Sequence, residues 1–208
     1  MAMLFELSET VSEILDSDAG SLLLSGYKVS EDLEELQNFG VTHIVNARGG
    51  SENHFPEDIE YFKVDVEDLP SVKIIDYFDP VCDFIAESIK KDNNETSSNK
   101  IKNVVLVHCR AGISRSTTLI IAYLMREEQM SMQAALEFVL QRREVIFPNM
   151  GFIKQLATYE KRIHGKSTLK KIKQYAHIWG DPAYKEMLQD AYDGRATAEV
   201  KRNGCSVL

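Results

Sequence analysis

Residues 104–125 place a short β-type segment, a polar loop and an apolar helix in direct succession, and this order constrains the fold more than any other part of the chain. The apolar run 104–107 is typical of a buried strand, and the run 117–125 is typical of a core helix. Between them, residues 108–116 read His-Cys-Arg-Ala-Gly-Ile-Ser-Arg-Ser. A loop that joins a strand to a helix gathers backbone N–H groups and the first helical turn around one hollow. We therefore expect an anion site at this junction.

Cys109 and Arg115 carry the chemistry of this loop. A cysteine in positive potential has a lowered pKa, because the thiolate is favoured there. Six residues later, the planar guanidinium of Arg115 matches two oxygens of a phosphate. A buried structural cysteine is the alternative, but it leaves the other polar residues of the loop unexplained. A zinc site is disfavoured, because His108 and Cys109 project to opposite faces of a strand and the sequence holds no second Cys–His cluster. The loop therefore predicts a phosphoryl-transfer site.

The rest of the chain alternates strand and helix patterns. Further strands are expected at 21–26, 41–46 and 60–66, and further helices at 75–90, 132–142 and 150–163. Ser30, Ser131 and Asn149 are expected to cap helices, the first of which would carry Leu33, Leu36 and Phe39. The alternation predicts an α/β fold with a central, mostly parallel sheet flanked by helices on both faces. The reacting site should lie at the carboxyl ends of the strands, where Cys109 falls.

The chain divides into four predicted parts. Residues 1–19 are an N-terminal lead without a clear pattern, and residues 20–164 form the catalytic domain. Residues 165–194 form a helical extension, and residues 195–208 form a flexible tail. The stretch 90–100 is polar throughout and predicts a surface loop.

We call residues 108–116 the signature loop. This loop and several other segments resemble the dual-specificity protein phosphatases, and in particular their small, atypical members. The resemblance rests on residues 108–116, 122–125, 142–143, 148–149, 151–152 and 155–156, and on the run 40–47. It covers about residues 20–163. It implies the dual-specificity type of cysteine-phosphatase fold, with the helical extension added at its carboxyl end. It also implies a shallow pocket that admits phosphoserine and phosphothreonine as well as phosphotyrosine.

The resemblance implies a role for each residue of the loop. Cys109 attacks phosphorus as a thiolate, Arg115 holds the equatorial oxygens, and Ser116 donates a hydrogen bond to the sulfur. His108 supports the loop and points away from substrate. The chemistry requires no metal and no cofactor. The remaining phosphate ligands are expected from the loop backbone at Arg110, Ala111, Gly112, Ile113, Ser114 and Arg115.

A general acid must come from another segment, because the oxygen that leaves serine or threonine needs a proton. Asp68 follows a predicted strand on a loop closed by Pro70, and it matches the family's acid position. Asp65 is the alternative, although strand alternation turns it away from Val64 and Val66 and towards solvent. Asp68 is therefore the expected general acid.

The carboxyl end Cys205-Ser206-Val207-Leu208 matches a C-a-a-X box, and its terminal leucine indicates geranylgeranylation of Cys205. The alternative is an accidental exposed cysteine. Residues 166–208 carry a net charge of +3 within a chain of net charge −8, so a basic segment would assist binding to an anionic membrane surface. We expect a cytoplasmic protein, with no signal peptide and with a prenylated, membrane-associated fraction.

Three functions are compatible with these residues. The first is a phosphatase whose substrate is a phosphorylated protein. The second is a phosphoinositide phosphatase at a membrane, which the apolar Ala111 and Ile113 disfavour, since that class usually carries lysines in this loop. The third is a non-catalytic phosphopeptide-binding module, which intact Cys109, Arg115 and Asp68 disfavour. The net charge of −8 argues against nucleic acid as a partner.

Overall fold

The computed structural model describes residues 10–90 and 102–168, and the sheet in this part of the chain has five strands. In chain order they are β1 (Val11–Asp16), β2 (Gly20–Ser25), β3 (Val41–Asn46), β4 (Glu60–Lys63) and β5 (Asn103–His108). Their order across the sheet is β1-β2-β5-β3-β4, with β1 antiparallel to β2 and the other neighbours parallel. The carboxyl ends of β2, β5, β3 and β4 therefore share one edge, which confirms the predicted, mostly parallel sheet.

Helices cover both faces of this sheet. They are α1 (Leu33–Asn38), α2 (Phe78–Lys90), α3 (Arg115–Arg126), α4 (Met132–Leu140) and α5 (Met150–His164). Alternate residues of a strand enter two different apolar clusters. Leu22 and Leu24 of β2 join the larger cluster, which includes side chains of α2 to α5, whereas Leu23 joins a smaller cluster with Leu36 of α1. This confirms the predicted fold class.

Helix α3 runs through the larger cluster. Its residues from Arg115 to Met125 are all buried, as the apolar run predicted. Fully buried side chains such as Leu119 and Leu124 each contribute roughly 1.5–3 kcal/mol to stability. The packing therefore fixes the first turn of α3, and with it the end of the signature loop.

Strand β1 lies within residues 1–19, which were expected to be a lead without a clear pattern. The strand pairs with β2 at the edge of the sheet, and Ile14 is its one buried residue. The register shifts between Glu13 and Leu15. Such a bulge breaks the alternation of apolar and polar residues from which a strand is recognised.

The helix expected after Ser30 begins later than predicted. Asp32 caps α1, since its carboxylate accepts a hydrogen bond of 3.1 Å from the backbone N–H of Glu35. Ser30 instead lies in a 3₁₀ turn, Val29–Glu31. Phe39 is 42% exposed and lies beyond the last helical residue. Ser30 precedes the helix because its hydroxyl donates to the carbonyl of Tyr27 (2.6 Å) and makes no capping bond.

Two other elements are shorter than predicted. Strand β4 ends at Lys63, because the N–H of Val66 turns back to the carbonyl of Val64 (3.1 Å). Helix α2 begins at Phe78, after a 3₁₀ turn at Ile74–Tyr77. Val64 and Val66 are nevertheless buried, as the alternation predicted.

The predicted starts of α4 and α5 and the predicted end of α5 are confirmed at three capping residues. Helix α4 ends at Leu140, two residues before its predicted end at Arg142. Ser131 and Asn149 accept hydrogen bonds from the N–H groups of Ala134 and Phe152. Gly165 ends α5 in a left-handed conformation, with φ 72°. The 90–100 loop falls outside the described residues from residue 91, and the helical extension and tail do so from residue 169. None of the helices that the structure describes has both the length and the apolarity of a membrane span.

Candidate active site

The loops that follow the parallel strands meet at the carboxyl edge of the sheet. Cys109 comes directly after β5, Arg48 two residues after β3, and Asp68 on the loop that follows β4. The chain after β2 touches the same region, since the N–H of Tyr27 donates to the carbonyl of Arg110 (3.3 Å). Cys109 therefore lies at the carboxyl edge of the parallel strands, as predicted, because β5 ends there.

The signature loop presents its backbone N–H groups to a common centre. The carbonyls of residues 110–113 each accept a hydrogen bond from outside the loop. The donors are the N–H of Tyr27 to residue 110, the guanidinium of Arg143 to residues 111 and 112, and the N–H of Phe147 to residue 113. In a trans peptide the N–H points opposite to the carbonyl. The N–H groups of residues 111–114 therefore point away from these donors and into the loop, where they form a cradle for an anion.

Arg143 holds this loop, a role that the sequence analysis did not assign to it. Its side chain is buried, and Nε and Nη2 donate to the carbonyls of Gly112 (2.8 Å) and Ala111 (3.0 Å). Nη1 donates to Thr10 and to Ser12 of β1. The Arg142–Arg143 pair was a visible signal in the sequence, but nothing there indicates that the second arginine reaches the loop.

Gly112 is the point at which the loop needs glycine. Its φ is +68°, which disfavours any residue with a Cβ. A Cβ at this position would also lie 2.6 Å from the carbonyl oxygen of Ser25 and 2.8 Å from Nη2 of Arg143. The loop can therefore approach β2 this closely only because residue 112 is a glycine and has no Cβ.

Cys109 lies at the bottom of the cradle, with 2% of its surface exposed. Burial raises the pKa of its thiol, but the charge of Arg115 and hydrogen bonds from Ser116 lower it, and the net result is a pKa below the ordinary value. The hydroxyl of Ser116 donates to Sγ at 3.2 Å. The structure thus brings together the thiolate and the hydroxyl that the sequence predicted as a pair.

Arg115 connects the cradle to the loop after β4. Its Nη1 donates to the carbonyl of Val66 (3.1 Å), and its Nε lies 3.8 Å from Oδ2 of Asp68. Nε is buried and has no hydrogen-bond partner within residues 10–90 and 102–168. A buried N–H without a partner is energetically unfavourable, because it has lost its hydrogen bond to water. A phosphate oxygen bound in the cradle would supply the missing acceptor.

Asp68 is fixed by two side chains from other segments. Its Oδ1 accepts hydrogen bonds from the hydroxyl of Ser114 (2.7 Å) and from Nδ2 of Asn149 (2.8 Å). Asn149 also caps α5, and its N–H donates to the Ser114 hydroxyl (3.2 Å). Both of these donors bind Oδ1, and Oδ2 is the oxygen that faces Arg115, at 3.8 Å from its Nε. The predicted acid therefore has the geometry to protonate a group bound beside Arg115.

Asp65, the alternative acid, faces a different loop. Its side chain is exposed, and Oδ1 accepts a hydrogen bond of 2.8 Å from the N–H of Gly50. Glu67 is also exposed. This geometry favours Asp68 over Asp65 for contact with a bound phosphate.

The loop that carries Asp68 packs directly on α5. Gly151, in the first turn of α5, touches this loop, and a Cβ there would overlap the backbone of Pro70. Gln155, one turn later, donates to the carbonyl of Val72 (2.8 Å) and accepts from the N–H of Ile75 (3.0 Å). The sequence analysis did not foresee these contacts, which hold the loop that carries the acid.

His108 is the last residue of β5 and precedes Cys109. It is buried, and Nδ1 lies 3.4 Å from the carbonyl oxygen of Cys109. Burial lowers the pKa of the imidazole to about 3, so the ring is neutral at physiological pH. A neutral ring in this position supports the backbone at Cys109.

Comparisons with known proteins agree with this geometry. The family model described as "Dual specificity phosphatase, catalytic domain" matches residues 22–162. Dual specificity protein phosphatase 14 of Homo sapiens is 40% identical over 166 residues, which cover 80% of this chain and 79% of that protein. A probable rhodanese domain-containing dual specificity protein phosphatase of Dictyostelium discoideum is 36% identical, but the matched region spans 28% of that protein. The region matched to Dual specificity protein phosphatase 19 of Mus musculus spans 59% of that protein.

Solved structures show the same fold. The human tyrosine phosphatase-like serine/threonine/tyrosine-interacting protein superposes with a TM-score of 0.64 at 34% identity, covering 73% of this chain and 96% of that one. Human DUSP28 superposes with a TM-score of 0.63 at 25% identity, and the match covers 74% of this chain and 95% of that one. Both similarities extend over nearly the whole of the compared domain.

Proposed function

Because the chain belongs to the dual-specificity phosphatase family, we propose that it hydrolyses phosphate esters of tyrosine, serine and threonine in proteins through a cysteinyl-phosphate intermediate. The observation that carries this proposal is the convergence of three groups on one cradle. They are the Cys109 thiol bonded to Ser116, the guanidinium of Arg115, and the carboxyl of Asp68 that faces it.

In the first step, the Cys109 thiolate attacks phosphorus, so that an S–P bond forms and the ester P–O bond breaks. The N–H groups of residues 111–114 and the Arg115 guanidinium hold the three equatorial oxygens as charge spreads over them. Asp68 delivers its proton to the leaving oxygen. This transfer matters most for serine and threonine, whose alkoxide is a poor leaving group.

In the second step, water attacks the phosphoryl group and the S–P bond breaks. The Asp68 carboxylate accepts a proton from the water, which returns the acid to its starting form. Ser116 stabilises the departing thiolate, since its hydroxyl donates to Sγ at 3.2 Å. Inorganic phosphate and the free thiolate are the products.

The test is to capture the intermediate. Rapid mixing of Ser116→Ala enzyme, in which departure of the thiolate is slowed, with a phosphotyrosine peptide and an acid quench should show one added phosphoryl group by intact mass analysis. Peptide mapping should then place that group on the peptide that contains Cys109. Cys109→Ser should lose turnover and retain phosphopeptide binding. Turnover by Cys109→Ser at the wild-type rate would overturn the proposal.

The two alternative functions are separated by a side-by-side assay of phosphopeptides and phosphoinositides. Ala111 and Ile113 are buried, and the loop between Cys109 and Arg115 holds no lysine to contact an inositol phosphate. We expect faster hydrolysis of phosphopeptides. Binding of phosphopeptides without hydrolysis would favour a binding module instead.

We also propose that Cys205 is geranylgeranylated and that this lipid gives the protein a membrane-associated fraction. The proposal rests on the sequence Cys-Ser-Val-Leu at residues 205–208, which lie outside the described part of the chain. Mass analysis of the carboxyl-terminal peptide of protein isolated from cells tests it. An unmodified Cys205, together with equal partitioning of wild type and Cys205→Ser to membranes, would exclude it.

A further inference from the structure

Basic side chains and one aromatic ring border the phosphate cradle on the side of α1. We call Tyr27, Lys28, Arg48 and Arg110 the basic rim. Two backbone hydrogen bonds attach it to the signature loop. The N–H of Tyr27 donates to the carbonyl of Arg110 (3.3 Å), and the N–H of Ala47, next to Arg48, donates to the carbonyl of His108 (2.8 Å). The backbone of the rim is therefore attached to the loop that forms the phosphate cradle.

Arg48 is held in a defined geometry. Its guanidinium carbon lies 4.3 Å from the centroid of the Tyr27 ring, which is a cation–π contact, and Lys28 Nζ lies 5.1 Å from the same centroid. The backbone of Arg48 is held as well. Its backbone N–H donates to Oδ1 of Asn46 (3.1 Å), and its backbone carbonyl accepts from the hydroxyl of Ser51 (2.8 Å). A guanidinium fixed on a ring loses little entropy on binding, and its planar fork matches two oxygens of an anion.

Positive charge exceeds negative charge on this rim. Glu31 is a shared acidic partner, at 3.3 Å from Lys28, 3.7 Å from Arg48 and 3.8 Å from His54. The side chain of Arg110 is exposed and forms no hydrogen bond or ion pair with the residues that the structure describes. The rim thus holds three permanent cations, and Glu31 is an ion-pair partner of two of them, Lys28 and Arg48.

Three further charges lie near the rim, those of Lys63, Asp65 and Glu67. Oε1 of Glu67 comes within 2.9 Å of the position that a Cβ would take on Gly49, next to Arg48. The amine of Lys63 donates to the carbonyl of Arg48 and, at 3.1 Å, to the hydroxyl of Ser51. Asp65 accepts from the N–H of Gly50 and acts electrostatically on Lys63. Lys63 offsets one of these two carboxylates. The rim and its surroundings therefore hold four cations against three carboxylates and keep an excess of one positive charge.

We propose that the basic rim binds an acidic group of the substrate close in sequence to the phosphorylated residue, so that acidic phosphopeptides are the preferred substrates. The group is an Asp or Glu carboxylate or a second phosphate. This inference rests on the phosphatase function proposed above and names a substrate class for it. A peptide is favoured over a lipid surface because Arg48 and Lys28 are two-thirds buried and converge on one ring, an arrangement for a single anion.

The test compares kcat/KM for three peptides that share one phosphorylated residue. The first has Gln on both flanks, the second has Glu at those positions, and the third has a second phosphorylated residue. The variant is Arg48→Gln. Lys90→Gln is the matched control, since Lys90 also pairs with a glutamate (Glu127, 3.8 Å) but ends α2 at the opposite edge of the sheet.

We expect the wild type to favour the two acidic peptides and Arg48→Gln to lose about three- to tenfold in kcat/KM on them, through KM. The neutral peptide and para-nitrophenyl phosphate should change less than about twofold. The loss should shrink at high salt, because the rim is partly exposed. Lys90→Gln should match the wild type throughout. Comparison of the Glu peptide with the doubly phosphorylated peptide identifies the preferred anion.

Equal losses on acidic and neutral peptides, or none on either, would overturn this inference and leave the proposed function intact. A loss confined to phosphoinositide hydrolysis would assign the rim to lipid and also overturn it. Failure of the wild type to hydrolyse any phosphopeptide would reject the proposed function, and the inference with it.

Discussion

The hydroxyl of Ser114 donates a hydrogen bond of 2.7 Å to Oδ1 of Asp68. Ser114 precedes α3, where a serine ordinarily caps the helix, yet its side chain makes no capping bond. It contacts the loop after β4 instead, and so joins the phosphate cradle to the proposed acid. The geometry of proton transfer therefore depends on a residue of the cradle itself.

Ser114→Ala removes this link and leaves the backbone N–H that the cradle needs. We expect kcat on phosphothreonine peptides to fall about three- to tenfold, which corresponds to the loss of one hydrogen bond to a carboxyl group. Activated aryl phosphates should change less, because their leaving groups need little protonation. Steady-state kinetics on both substrates checks this. Ser88→Ala is the control, since Ser88 bonds within α2 (2.7 Å to the carbonyl of Phe84). Equal losses on both substrates would contradict the expectation.

Asp68→Asn should lower kcat on phosphothreonine peptides by roughly 10²-fold, because the amide cannot supply the proton. The decrease on para-nitrophenyl phosphate should be much smaller. Asp65→Asn serves as the matched comparison, since Asp65 bonds to Gly50 and faces away from the cradle. If Asp65→Asn alone showed the leaving-group dependence, the acid would be Asp65.

The thiols of Cys109 and Cys82 should differ strongly in reactivity. The lowered pKa of Cys109 implies that its thiolate persists below pH 9, whereas burial raises the pKa of Cys82 to about 12. Iodoacetate should therefore inactivate the enzyme at neutral pH and label Cys109 but not Cys82, as mapped by peptide mass analysis. Ser116→Ala should shift the pH profile of inactivation upwards, since one stabilising bond to the thiolate is lost. Full activity after complete alkylation of Cys109 would refute its role.

Gly112→Ala should damage the cradle more than Gly50→Ala damages its own loop. Both glycines have a positive φ, so each substitution costs about 1–2 kcal/mol in backbone strain. A Cβ at Gly112 also overlaps β2 and Arg143, whereas nothing lies within 4 Å of a Cβ at Gly50. We expect vanadate affinity to fall about tenfold or more in Gly112→Ala and to stay near wild type in Gly50→Ala. Titration calorimetry together with denaturant unfolding separates binding from stability.

The central elements of this fold were predictable because their signals are local. The apolar run of α3 and the caps Ser131, Asn149 and Gly165 are each recognisable within a few residues. Strand β1 was missed because an edge strand with a bulge buries one side chain, Ile14, and shows no alternation. Ser30 was chosen over Asp32 because both residue types cap helices, and sequence alone does not fix the first turn.

Long-range contacts of the site were not predictable in the same way. Cys109, Arg115 and Ser116 lie in one short loop, so their proximity follows from the sequence. The contact of Asp68 with Asn149 joins residues 81 apart, and the contact of Arg143 with Ser12 joins residues 131 apart. Such pairs depend on how the strands and helices pack, and the periodicity of the sequence does not predict which distant residues come into contact.

The contact between Arg143 and β1 changes where the functional unit begins. A protein trimmed to residue 20 would retain the whole signature and most of the family match, yet it would lack Thr10 and Ser12, which accept hydrogen bonds from Nη1 of Arg143. The opposite edge of that guanidinium carries two carbonyls of the anion cradle. The amino-terminal strand therefore supports the cradle through Arg143, and we expect a protein that begins at the matched segment to bind phosphate less tightly than the full chain.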